Sequence, residues 1–123
     1  MSGDDAKTLI ETAINRFVEE VPALQPLKLV FVVELRGRGD VQMFRVEMPG
    51  PKVTKGDDPA ARVRVEMPRA FFNVMAKEAH IADWREAFTY GQAKASGPTQ
   101  VLQLIERVVA KQEERNRTRR ASH

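Results

Sequence analysis

The pentapeptide Arg-Val-Glu-Met-Pro occurs twice in this chain, at residues 45–49 and 64–68. Each copy closes a run in which apolar and charged residues alternate. From Val41 to Met48, Phe44, Val46 and Met48 share one face, and Arg45 and Glu47 share the other. From Ala61 to Met67, Val63, Val65 and Met67 oppose Arg62, Arg64 and Glu66. Successive side chains of a strand point to opposite faces, so a two-residue period predicts strands buried on one side only. Two copies are too few for a repeat array, which needs at least three. They read instead as two half-buried strands of one sheet.

The remaining periodicity is helical. Ala6, Leu9, Ile10, Ala13, Ile14, Phe17, Val18 and Val21 recur at three- and four-residue steps and form one apolar stripe. Asp4 or Asp5 suits the start of this helix, and Pro22 and Pro26 end it. Leu27 to Leu35 reads as a strand whose two apolar faces predict cover on both sides. Arg36 to Asp40 is a glycine turn of hairpin length, and a short strand is expected near Lys52 to Thr54. Pro68 to Ala79 and Ile81 to Phe88 read as helices, Tyr90 to Ser96 as a brief strand. A last helix opens at Gly97-Pro98 and carries Val101, Leu102, Leu104, Ile105, Val108 and Val109. Helices packed on one face of a mainly antiparallel, five-stranded sheet make an α+β fold.

With 123 residues the chain is the size of one domain. Residues 1–110 are expected to form it, with 111–123 as a basic helix extension or tail. That tail holds five basic and two acidic residues and so carries the whole net charge of +3. A neutral body argues against nucleic acid, whose binding folds spread basic residues over a face. The tail would offer at most a weak pull toward anionic membranes, about 1 kcal/mol per basic residue near the surface. No cysteine is available for disulfides, thiolate chemistry or metal ligation. The acidic start, Gly3-Asp4-Asp5, does not read as a signal peptide, and no apolar run reaches the roughly 18 residues of a membrane span. A cytoplasmic protein is expected.

Catalytic constellations are sparse. The histidines are His80 and His123, and only His80 has nearby carboxylates, at Glu78 and Asp83. Catalytic groups and metal ligands usually converge from several elements, so a histidine beside a helix end is the plainer reading. Gly37-Arg38-Gly39 has neither dinucleotide-loop nor phosphate-loop spacing, and Ser96 lacks a nucleophile elbow. Neither an enzyme nor a cofactor or metal site is expected.

Residues 62–109 place a strand, two helices, a short strand and a last helix in an order punctuated by Trp84, Phe88, Gly91 and Gly97. Within it, Phe88-Thr89-Tyr90-Gly91-Gln92-Ala93-Lys94-Ala95-Ser96-Gly97 resembles the glycine-spaced turn and strand of the sterol carrier protein 2 (SCP2) family. Gln92 stands where that family often has lysine, Pro98 where an acid or amide is common, and Phe44 where a strand tryptophan is frequent. The resemblance implies a small stand-alone member of bacterial type, with a tunnel between sheet and helices. Such a tunnel would hold a fatty acyl, acyl-CoA or sterol-like ligand without covalent chemistry. Phe44, Met48, Met67, Phe71, Phe72, Met75, Trp84, Phe88, Leu102 and Ile105 are the residues expected to line it. The alternative is an SCP2-like protein-interaction module with no lipid ligand.

Overall fold

The computed structural model describes residues 3–121, with side chains from Ala6 to Thr118. The apolar stripe of the first segment forms helix α1 (Gly3–Glu20), which buries Ala6, Ile10 and Ala13 at three- and four-residue spacing. The proposed caps Asp4 and Asp5, and the second histidine, His123, lie outside the described side chains. A short 3₁₀ turn (Pro22–Leu24) follows the helix. Four strands come next: β1 (Leu29–Arg36), β2 (Val41–Met48), β3 (Lys52–Lys55) and β4 (Val63–Pro68). Helices α2 (Arg69–Glu78) and α3 (Ile81–Thr89), strand β5 (Lys94–Ser96) and helix α4 (Thr99–Ala121) complete the chain.

The sheet order is β3-β2-β1-β4-β5, so the two Arg-Val-Glu-Met-Pro strands flank β1 on either side. β1 pairs antiparallel with β2, from Leu29 opposite Met48 to Arg36 opposite Val41. It pairs parallel with β4, Phe31 to Val63 and Leu35 to Met67. The sheet is therefore mixed, which corrects the expected mainly antiparallel arrangement. The cause is residues 56–62, which leave the edge strand β3 and return the chain beyond β1 rather than beside β3.

That crossing is tied to the sheet face opposite the helices. Arg45 of β2 donates to Asp58 at 3.0 Å and to Glu47 at 3.1 Å. Arg64 of β4 donates to Asp57 at 2.7 Å and to Glu34 of β1 at 3.0 Å. Val32, opposite both Arg45 and Arg64 in register, has no exposed surface despite facing away from the helices. The cover expected over both faces of the first strand is this ionic lattice. The hydrogen bond from Arg45 holds the Asp58 carboxyl below its usual range.

On the other face the core joins α1 and α2 to β1, β2 and β4. Phe44, Val46 and Val53 are almost wholly covered. Trp84 of α3 ties the helices together, its ring 5.4 Å from Phe17 and 6.4 Å from Phe72, both tilted. Such tilted pairs suit the aromatic quadrupole. Two glycines set the path into and out of β5. Gly91 has φ +78°, a left-handed turn that begins the strand later than expected. At Gly97 (φ +147°) an added Cβ would stand 2.7 Å from the Arg62 carbonyl oxygen. Only glycine allows β5 to lie that close against β4.

Candidate functional site: an apolar cavity between sheet and helices

The inner face of the sheet is not covered evenly. At the β2–β3 end Phe44, Val46 and Val53 are buried against the α1–α2 side. Phe31 in the middle of β1 and Val65 in the middle of β4 face the helices too, yet remain only half-buried. The difference is a cavity of about 530 Å³.

Its floor is the alternation of two parallel neighbours: Leu29, Phe31 and Val33 from β1, and Val63, Val65 and Met67 from β4. Ala95 extends the floor onto β5. One wall is the α1 stripe Ile10, Ala13, Ile14, Phe17 and Val18. The opposite wall comes from α3, through Ile81, Trp84, Arg85, Phe88 and Thr89, and from α4, through Leu102, Ile105, Glu106 and Val109. Met48, Phe72, Leu24 and Leu27 close the remaining gaps. Arg85, Thr89 and Glu106 are the polar members of this lining; the rest is hydrocarbon or aromatic.

Exposure shows where the cavity opens. Phe88, Thr89, Ala95 and Glu106 line it and are exposed, which places the mouth above β5 between α3 and α4. Across its described side chains α4 buries only Val109, which packs with Val21 and Ile81. Leu102, Ile105 and Val108 stay half-exposed. The last helix thus bounds the cavity without sealing it.

No protein-family model matches the sequence, and no curated protein matches it. Solved structures do. Sterol Carrier Protein-2 from Aedes aegypti in complex with palmitate superimposes with a TM-score of 0.57 at 20% identity, covering 89% of this chain and 97% of that one. Palmitated SCP2L2 from the same organism gives 0.56 at 20% identity, over 81% and 93%. The apo form of Sterol Carrier Protein 2 from Yarrowia lipolytica gives 0.51 at 16% identity, over 74% and 84%. The fold is SCP2-like.

Within the SCP2-like fold the ten residues singled out from sequence separate into two groups. Met48, Met67, Phe72, Trp84, Phe88, Leu102 and Ile105 border the cavity. Phe44, Phe71 and Met75 do not. Phe44 is fully covered in the closed half of the core, and Phe71 and Met75 pack against that same cluster. The α1 wall and, Met67 apart, the β1 and β4 floor were not among those ten. Their signal was present as apolar stripes, but a stripe says which face is buried, not whether that face is filled.

His80 has a structural place. Its ring pairs with Glu20 at the end of α1, and Glu20 also accepts the Ile81 N–H at 2.7 Å. Asp83 accepts the His80 N–H at 2.8 Å. Together these carboxylates cap α3, where the helix dipole favours negative charge. Glu78 takes no part in the arrangement. Among the described residues no group of acids and histidines converges to hold a metal ion, and no helix is long and apolar enough to cross a membrane.

Proposed function

We propose that this protein is a carrier that binds an apolar small molecule in the cavity between sheet and helices. A fatty acyl chain, an acyl-CoA or a sterol-like molecule is the class of ligand that fits. Release leaves the ligand chemically unchanged, and the carrier works in the cytoplasm. The observation that carries the reading is the volume and lining of the cavity. About 530 Å³ falls within the roughly 300–1,000 Å³ of small-molecule sites. The lining is almost wholly apolar yet opens to water above β5, and hydrocarbon that displaces water from such a surface is stabilised by about 25 cal/mol per Å² buried.

Similarity of fold supports the same reading, since two of the superimposed structures are described with palmitate. Met48, Met67, Phe72, Trp84, Phe88, Leu102 and Ile105 are proposed to touch the ligand. Native mass spectrometry of gently purified protein should show a mass increment lost on denaturation. A fluorescent fatty acid should bind the delipidated protein at one site. A protein that carries no lipid and binds neither acyl nor sterol probes would overturn the proposal.

A further inference from the structure

The cavity has one cationic lining residue, Arg85, about one turn of α3 before Phe88 and Thr89 at the mouth. Arg85 follows Trp84 on α3 and lines the same space, with its side chain 40% exposed. A residue so placed can lay its aliphatic stem along hydrocarbon while its charged head stays near water.

The guanidinium is poorly used by the protein itself. Its Nη1 stands 3.1 Å from Glu113 Oε1 of α4, but the two are out of line for a hydrogen bond, and that buried oxygen has no hydrogen-bond partner. Among the described residues Arg85 donates no hydrogen bond. A guanidinium offers five N–H donors in a rigid fork that matches a carboxylate. Donor capacity therefore stands beside the lining of an apolar cavity, engaged by a single charge contact to Glu113, which lies outside that lining, and another carboxylate could replace it.

We propose that Arg85 is the head-group anchor of the site, selecting a single-chain amphiphile with a terminal carboxylate over neutral lipids. The chain lies inward along Phe31, Val65 and Trp84. The ligand carboxylate takes the fork of Arg85 in place of Glu113. A sterol has no group to make this contact. The inference rests on the carrier reading and narrows its ligand class.

The test compares palmitate with hexadecanol, which has the same chain and an uncharged head. Both are radiolabelled and delivered from cyclodextrin to the full-length protein, at a pH where palmitate is ionised. Wild-type protein should prefer palmitate by about tenfold or more, since charge-assisted, bidentate hydrogen bonds are the strong ones. Arg85→Gln should abolish the preference by weakening palmitate alone. Arg85→Lys should keep part of it, and serves if the glutamine variant fails to fold. Glu113→Gln breaks the same charge contact, yet should tighten palmitate several-fold by freeing the fork. Parallel losses in Arg85→Gln and Glu113→Gln would mean that the contact only holds the helices together, overturning the proposal. Equal wild-type binding of the two ligands would overturn it too, while leaving the carrier reading standing. Binding of neither would remove both.

Discussion

Filling the cavity from its floor separates a binding site from a loosely packed core. Val65 is suited to this. It lies in the middle of β4, opposite Val33 in register on one side and Ala95 on the other, and it is half-buried because the space above it is open. Val65→Trp places a large ring in that space, and tryptophan is well tolerated in strands. An aromatic side chain buries roughly 150–250 Å². If about 100 Å² of that is newly covered, burial at about 25 cal/mol per Å² stabilises the fold by roughly 2–3 kcal/mol. In a filled core the same ring would overpack and cost about 1–3 kcal/mol. The two cases differ in sign, so error in either magnitude does not blur the result.

Thermal unfolding and uptake of a fluorescent fatty acid should be measured on the same preparations. Val65→Trp should hold or raise the midpoint and abolish uptake. Met75→Trp is the matched control, since Met75 is half-buried on α2, packed against the core and outside the cavity lining. It should retain uptake, at a cost of no more than about 1–3 kcal/mol. A Val65→Trp protein that melts earlier while wild type binds nothing would refute the reasoning, because the space would then be closed in solution.

Further outcomes follow from the turns, the ionic lattice and the tail. Gly91→Ala should cost about 1–2 kcal/mol by urea unfolding, the strain of a left-handed residue in open space. Gly97→Ala should cost more, because its Cβ also meets the Arg62 carbonyl. The Asp58 carboxyl is held low by its hydrogen bond from Arg45, so its contribution is complete above the ordinary carboxylate range and fades as pH falls through the lowered value. The stability difference between wild type and Asp58→Asn should therefore shrink with acidification below about pH 4. Removing residues 115–123 should leave the melting temperature nearly unchanged, because Arg115, Arg117 and Thr118 are exposed and the Arg85–Glu113 contact survives. A marked fall would mean that the end of α4 packs on the body or on a second chain.

Alternation in the two Arg-Val-Glu-Met-Pro strands revealed which side chains face inward, and the glycines of residues 88–97 revealed the turn into β5. Neither could reveal strand direction. Whether β4 runs with or against β1 depends on where the connection of residues 56–62 crosses, and that is fixed by partners distant in sequence, Arg45 with Asp58 and Arg64 with Glu34. The one local trace of it was Val30 and Val32, apolar where a solvated face would be polar. The same limit applies to the site. Phe44 and Phe31 are aromatics on the same face of neighbouring strands, two residues apart in register. The first is fully covered and the second borders a cavity, and nothing in their own segments distinguishes them.

What separates them is the placement of α4. Along its described length the helix buries Val109 against Val21 and Ile81, while Leu102 and Ile105 bound the cavity half-exposed. The tight core, from Phe44 and Val53 through Ala76 to Ile10, is built without α4. The side of the cavity bounded by α4 is thus separate from the buried core, whose Ile10, Ala13, Val33, Met67, Phe72 and Trp84 form its other walls. Segments with few buried apolar contacts open at lower free energy than the core they cover. A ligand could therefore enter beside α4 without loosening the sheet or the α1–α2 layer. A carrier needs that division, because a site closed by the main core would release its ligand only on unfolding.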